Sequence, residues 1–347
     1  MEQFDYIDDD AVGVEDVISE EIQLVIPLQY RGERLDKSLA QLLPAYSRSR
    51  IQQWLEKGII QASGKVMTAK TQVLGGETIS FVVPEEPQNQ AFTPENIELD
   101  VIYEDNSIAI LNKPAGMVVH PAAGNWSGTL LNAILHRFPN CASVPRAGIV
   151  HRLDKDTSGL LVIAKTIESQ IHLVRQLQDR TVNRKYLALI WGDFPPAKVI
   201  RAAIGRDPKD RLKMSVQNSP QAKEAITYLQ KIGGTDFAGS AISLLACKLE
   251  TGRTHQIRVH LESLGYPLVN DPVYKKKTPQ KSFDQIKQLW ESRERQPGQL
   301  LHASVLGLIH PQTQEICTWS VNPPQPYIDL LTLVGIHEGM WSRIYKE

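Results

Sequence analysis

Residues 148–166 read Gly-Ile-Val-His-Arg-Leu-Asp-Lys-Asp-Thr-Ser-Gly-Leu-Leu-Val-Ile-Ala-Lys-Thr. Charged and hydrogen-bonding side chains crowd the first half. Leu160 to Ala164 then run apolar without a break, the pattern of a strand buried on both faces, and Asp156, Thr157, Ser158 and Gly159 mark a turn before it. Asp154 is therefore expected on a short loop at the mouth of a buried strand, fixed by the scaffold yet open to a ligand. A lone aspartate beside Arg152 and Lys155 is more often a structural or solvated partner than a catalyst. Its role depends on what other segments bring to it.

Outward from this stretch the chain is rich in strand-like runs, over 101–105, 108–111, 185–191, 222–229, 241–249, 305–310 and 315–320. Helical spacing is clearest over 129–137, 167–179 and 254–264. Short turns between strands, with few helices, predict an α+β fold on a mixed, largely antiparallel sheet flanked by helices rather than repeating βαβ units. The Lys-, Gln- and Arg-rich segment 275–299 predicts an inserted surface loop with one short helix around 283–293.

A chain of 347 residues exceeds one ordinary core, so two domains plus tails are expected. Cys141, Cys247 and Cys317 are odd in number and far apart, which offers neither a disulfide framework nor a C-x-x-C site and fits a reducing cytoplasm. No stretch approaches the roughly 18 unbroken apolar residues of a membrane span, and the first residues are acidic, unlike a signal peptide. No membrane partner is expected. The net charge of -1 hides an asymmetry: residues 1–23 hold nine carboxylates and no Lys or Arg, leaving 38 cations against 30 carboxylates in the rest. The tail, 1–21, reads as solvated and disordered. A polar, proline-bearing stretch at 85–96 reads as a linker, dividing a domain over 22–84 from one over 97–335.

In the first domain, Leu35, Leu39, Leu42 and Leu43 lie at helical spacing. A second helix follows, with Ser47 as N-cap and Ile51, Trp54 and Leu55 on one face; Gly58 stops it before short strands begin. Between Arg31 and Lys70 stand eight cations, Arg34, Arg48 and Arg50 among them, against three acids. Such a run is often only a solvated face, but one-signed clustering on a small unit is the footprint expected for a phosphate backbone. The segment resembles the S4 RNA-binding module through Arg34-Leu35-Asp36, Ser47-Arg48-Ser49 and the Gly58 to Val66 turn region, with Ile59-Ile60-Gln61-Ala62 departing from the usual hairpin sequence.

Two later segments supply what Asp154 lacks. Arg184-Lys185-Tyr186 opens a strand and places a phenol beside two cations; such a tyrosine is usually a core residue, but it can serve as acid or base. Thr251 to Leu261 places Thr254 as the N-cap of a helix whose Ile257, Leu261 and Leu264 pack inward, with Arg258 next to that stripe. A buried arginine there needs a carboxylate, and Asp154 is the available one; otherwise Arg258 snorkels to solvent. His255 and His260 are five apart, not the i, i+4 of a helical zinc pair, so no metal is expected.

Together, His151-Arg152-Leu153-Asp154, Arg184-Lys185-Tyr186 and Gly252 to His260 resemble the three signature segments of the RluA/RluD-type pseudouridine synthases. Lys113 to Pro121, Gly265 to Tyr274 and Leu301-His302-Ala303 extend the resemblance over nearly all of 97–330, and 275–299 departs from it. Within that family, 116–124 and 144–150 are most similar to members acting on large-subunit ribosomal RNA. The resemblance implies a cofactor-free isomerisation of uridine, with the helix 69 stem-loop of large-subunit rRNA as the expected target. It assigns Asp154 to the sugar, at C1′ or at the C2′ proton; Arg258 to keeping that carboxylate ionised; and Tyr186 to stacking and C5 proton removal. Arg152 fills the gap left by the flipped nucleotide, and His151, Lys185, Arg253 and His255 join Arg34, Arg48 and Arg50 in holding RNA. A monomer is the default. Two rival readings remain: a glycosidase using Asp154 and Asp156, whose adjacency in one turn gives no pair of opposed groups, and a non-catalytic RNA-binding assembly factor.

Overall fold

The computed structural model describes residues 21–62, 65–83, 91–122, 124–210, 213–291 and 298–345; the expected acidic tail lies outside them except for Glu21. The chain divides between residues 89 and 90 into two compact units.

The first unit runs β1 (Glu21–Val25), α1 (Leu35–Leu42), α2 (Arg48–Glu56), β2 (Gln61–Ala62), β3 (Lys65–Val66) and β4 (Thr78–Val82). Its antiparallel sheet has the order β1-β4-β2-β3. Leu35 and Leu39, one helical turn apart, meet Ile51, Trp54 and Leu55 of α2 and Ile79 and Phe81 of β4 in one core. Ser47 caps α2, its Oγ accepting the Arg50 N–H at 3.4 Å.

The second unit runs β5 (Val101–Glu104), β6 (Ile108–Lys113), α3 (Leu130–Arg137), β7 (Ser158–Ala164), α4 (Ile167–Gln178), β8 (Asn183–Trp191), β9 (Ala197–Arg201), β10 (Ile204–Arg206), β11 (Met214–Val216), β12 (Ile226–Phe237), β13 (Ser240–Leu249), α5 (Gln256–Ser263), α6 (Gln280–Glu291), β14 (Leu301–Ile309), β15 (Ile316–Ser320), α7 (Gln325–Leu333) and α8 (Glu338–Trp341). Nine strands form one mixed sheet, in the order β5-β6-β7-β14-β8-β13-β12-β9 with β15 on β14. Every residue of β7 is buried because the strand's period of two splits its apolar run between two cores. Leu161 and Ile163 enter one beneath α3 and α5, while Leu160 and Val162 enter another with Leu173 of α4.

β7 is the strand that opens the site. It pairs with β14 in parallel over only two positions, Ser158 with His302 and Gly159 with Ala303. Beyond them its edge takes up the segment leading to Asp154 instead: Ile149 bridges Ile163, and His151 Nε2 accepts the Val162 N–H at 3.1 Å. Gly159, at φ +111°, permits the β7–β14 approach, since a Cβ there would lie 2.3 Å from the Ala303 carbonyl oxygen.

Several boundaries differ from the sequence reading. Residues 91–96, expected in the linker, are tied to α3: Asn132 Nδ2 donates to the Ala91 and Thr93 carbonyls, and the Glu95 N–H to the Asn132 carbonyl. The unit continues past 335, with Ile336, Trp341 and Ile344 buried in a core shared with Trp191 and Leu244. The 275–299 insertion is more than a surface loop, because α6 sends Ile286 into that same core. α5 starts at Gln256 rather than after Thr254, since His255 takes a left-handed φ of 56° that breaks the helix before it.

Candidate active site

Asp154 stands in a turn closed by the Thr157 N–H on its own carbonyl at 3.1 Å, two residues earlier than the expected turn because β7 already begins at Ser158. Its carboxylate is 16 % exposed, and its partner is Arg258, which is 4 % exposed. Arg258 does not snorkel. Its Nη1 donates to Asp154 Oδ2 at 2.8 Å, while Nε and Nη2 fork onto Asp271 at 2.8 and 2.9 Å. Asp271 in turn accepts the Val273 and Tyr274 N–H groups, each at 2.9 Å, so both guanidinium and loop are fixed by one fully buried carboxylate. The Tyr274 ring covers the guanidinium, its centroid 4.9 Å from Cζ.

A second set of contacts fixes the other side of Asp154. Gln299 Nε2 donates to Thr157 Oγ1 at 2.7 Å and reaches Asp154 Oδ2 at 3.4 Å, so that oxygen already faces two donors. Oδ1 faces His255, with Nε2 at 3.9 Å. Burial opposes ionisation of Asp154, but the His255 ring facing it, the charge and hydrogen bond of Arg258 and the charge of Arg152 together outweigh it and hold the carboxyl below its ordinary range.

Lys113, at the end of β6, anchors the loop from behind. Its Nζ is buried and donates to the carbonyls of Pro114, Met117 and Lys155 at 2.7, 3.0 and 3.0 Å. Burial pulls its pKa down to about 7, against the pull of Asp154 and Asp156. Three carbonyl acceptors match the three N–H bonds of an ammonium, which favours the charged form more strongly than burial alone allows.

Tyr186, on β8, is 6 % exposed and packs in the same apolar cluster as Leu153 and Ile257, the neighbours of Asp154 and Arg258. Burial pushes its hydroxyl above the ordinary range, with Arg184 opposing that shift and Asp154 adding to it. Arg184 is therefore the cation that shares the phenol's surroundings. Lys185 has the opposite strand parity, the one carrying Leu187 and Leu189 into the core on the other face, so it does not join this site. His151 is also corrected. Its ring is used by the Val162 amide, and burial drives its pKa down to about 3, so it is a neutral structural group rather than an RNA cation. Arg253 Nε donates to the Glu224 carbonyl at 3.0 Å. Arg152 stands exposed at the rim.

In the first unit, Arg34 and Arg48 converge on the buried carboxylate of Asp36, with Nη2 atoms 3.0 and 2.9 Å from Oδ2, and Gln52 adds a donor. Both arginines stay nearly half exposed, at 44 % and 47 %. Arg50 lies with its Cζ 5.6 Å from the Trp54 ring centroid.

The structure thus brings Asp154, Arg258, His255 and Tyr186 to one place. The sequence reading gave no role to Asp271, Tyr274, Gln299 or Lys113. Each acts through a partner distant along the chain, and nothing local in the sequence marks that partner. Among the described residues, no group of His, Cys, Asp and Glu is arranged to hold a metal ion, and no helix is long and apolar enough to cross a membrane.

Both units resemble known proteins. Residues 107–263 match the RNA pseudouridylate synthase family and residues 33–79 the S4 domain. The ribosomal large subunit pseudouridine synthase D of Nitrosomonas europaea is 47 % identical over 314 residues, covering 90 % of this chain and 88 % of its own length. That of Neisseria meningitidis serogroup B is 43 % identical over 344 residues, covering 99 % and 90 %. The solved structure of human RNA pseudouridylate synthase domain containing 1 superimposes with a TM-score of 0.50 at 26 % identity, covering 70 % of this chain and 86 % of that one. The chain belongs to the family of RNA pseudouridine synthases that carry an S4 domain.

Proposed function

We propose that the protein converts specific uridines of large-subunit ribosomal RNA, in the helix 69 stem-loop, to pseudouridine, with Asp154 as the catalytic carboxylate. The observation that carries the chemistry is the doubly anchored Arg258, which presents an ionised, oriented carboxylate in a partly buried setting. The choice of RNA rests on similarity to the large-subunit enzymes.

In the reaction the N1–C1′ bond breaks, the uracil turns in place, C5 bonds to C1′, and the C5 proton is lost while N1 gains one. Whether Asp154 bonds C1′ or takes the C2′ proton, it has to be ionised, and Arg258 and His255 favour that state. Tyr186 stacks on the base and assists removal of the C5 proton. Arg152, exposed two residues before Asp154, fills the space of the extruded nucleotide. In the S4 unit, Arg34 and Arg48, steered by Asp36, and Arg50 hold the phosphate backbone. No cofactor enters, and the protein works as a monomer in the cytoplasm.

Replacing Asp154 by Asn tests the assignment: RNA binding persists and pseudouridine formation vanishes, while unchanged modification removes the mechanism. Deleting residues 1–86 weakens or misdirects modification of intact rRNA and spares the intrinsic chemistry; unaltered rate and site choice would exclude the RNA-holding role. Mapping pseudouridines in rRNA from cells with and without the protein identifies the target.

A further inference from the structure

His255 is held in a way that its neighbours in the chain do not require. It is the residue before α5, and it holds a left-handed backbone, a conformation that few residues other than Gly adopt, although His is among those enriched in it. The ring is fixed from behind. The Met214 N–H donates to Tyr274 Oη at 2.8 Å, which favours the phenolic hydrogen turning to His255 Nδ1, also at 2.8 Å. The two rings meet edge to face, with centroids 5.5 Å apart. With Nδ1 accepting, the ring proton sits on Nε2, the nitrogen turned toward Asp154 Oδ1 at 3.9 Å. A lone pair facing a carboxylate would be repelled, so the same tautomer follows from both ends of the ring. Burial keeps the imidazole neutral by lowering its pKa below the ordinary value, with Asp154 opposing and Arg258 adding to that shift.

A separation of 3.9 Å is too long for a hydrogen bond, so the Nε2–H is oriented but not satisfied by Asp154. Oδ2 of Asp154 is occupied by Arg258 and Gln299, which leaves Oδ1 as the oxygen free to work on the sugar. When Oδ1 approaches C1′ or the C2′ hydrogen, the ribose 2′-oxygen lies one bond from C2′, and so within reach of a donor that flanks Oδ1.

We propose that His255 Nε2–H donates to the 2′-hydroxyl oxygen of the extruded uridine and so distinguishes ribose from deoxyribose at the target. The assignment rests on Asp154 acting at the sugar. It explains why a residue with a left-handed backbone, braced by a second buried ring, faces the reactive oxygen rather than the solvent. A hydroxyl is both donor and acceptor, so O2′ can accept from His255 while its own hydrogen is donated elsewhere.

The test crosses the residue with the substrate. His255→Asn tolerates the left-handed backbone but falls short of the Nε2 position, and His255→Gln restores an N–H donor at greater reach. Each, with the wild type, is assayed on an rRNA fragment carrying uridine or 2′-deoxyuridine at the target alone. We expect His255→Asn to lose about tenfold or more in kcat/KM on uridine. Removing the 2′-hydroxyl should cost the wild type at least as much and the Asn variant markedly less, with His255→Gln between them. Equal loss on both substrates overturns the proposal and makes His255 a support for Asp154 only. ¹⁵N spectra of the free enzyme supply a readout apart from activity: the proton is expected on Nε2, and Tyr274→Phe should weaken that preference. A proton on Nδ1 in the wild type also overturns it. If Asp154→Asn proves fully active while the substrate dependence of His255 persists, the Asp154 reading fails and the hydroxyl contact stands.

Discussion

Asp271→Asn is the sharpest probe of how this site is held, because the side chain keeps its size and loses one oxygen and the charge. In the native protein Asp271 Oδ1 accepts Arg258 Nη2 and two backbone N–H groups, and Oδ2 accepts Arg258 Nε at 2.8 Å. In the variant the amide carbonyl keeps the Oδ1 contacts, but the amide nitrogen faces the Arg258 Nε donor. A buried guanidinium then retains Asp154 as its main countercharge. Breaking a buried pair typically costs about 3–5 kcal/mol, and the surviving Asp154 contact places this case near 3 kcal/mol. For a unit of this size that is a fall in Tm of about 6–12 °C. Activity should change in a specific way. A loosened Arg258 stabilises the Asp154 carboxylate less, so its depressed pKa rises toward the ordinary value. On the proposed role of Asp154 the ionised form is the working one, so the loss of kcat on acidification should begin at higher pH than in the wild type, with KM for RNA little altered. Thermal melts and a kcat-versus-pH profile on an rRNA fragment measure both. A Tm within about 1 °C of the wild type together with an unmoved acid limb would refute the view that Asp271 holds Arg258 in place.

Other perturbations follow from the same geometry. Asp36 is held down to about 2 from 3.8: burial opposes its ionisation, but Gln52, Arg34 and Arg48 outweigh it. Its stabilisation is therefore complete above its unfolded pKa and disappears as pH falls from about 4 to about 2. Asp36→Asn should remove about 2 kcal/mol at pH 7, flatten that acid transition in amide exchange of α1 and α2, and weaken RNA binding. Unaltered exchange would show that Asp36 does not organise the arginines. Gly159→Ala should destabilise by about 3 kcal/mol or more, since φ is +111° and the new methyl meets the Ala303 carbonyl oxygen at 2.3 Å. A urea midpoint equal to that of the wild type would mean that β7 and β14 do not make this approach.

What could be read from the sequence was what repeats locally. The apolar run of β7, the Leu35–Leu39 and Ile51–Leu55 faces, and the Ser47 cap carry their periodicity or their hydrogen bond within a few residues. Asp154 and Arg258 were paired because a cation beside an apolar stripe needs a carboxylate. Asp271 carries no such signal, because one carboxylate balances the charge of Arg258, although a guanidinium has five N–H donors to satisfy. Of the two cations beside Tyr186 in sequence, strand parity separates them: residues 184 and 186 share a face, and Lys185 takes the other. His151 had no such signal, since its use by the Val162 amide depends on β7 leaving β14 after two pairs.

Stability alone does not account for the network around Asp154. Buried ion pairs are on average no better than well-packed apolar side chains, and this one withdraws an arginine and two carboxylates from water. What the arrangement supplies is direction. Arg258 commits two donors to Asp271 and offers a third to Asp154, a division that the single ammonium of a lysine could not reproduce. The S4 unit uses the same chemistry with the charges exchanged. There a fully buried carboxylate, Asp36, steers two half-exposed guanidiniums toward solvent, whereas in the catalytic unit a buried guanidinium steers a partly exposed carboxylate. In each case the buried ion fixes the orientation of the more exposed one, which is the one that the proposed function brings to RNA.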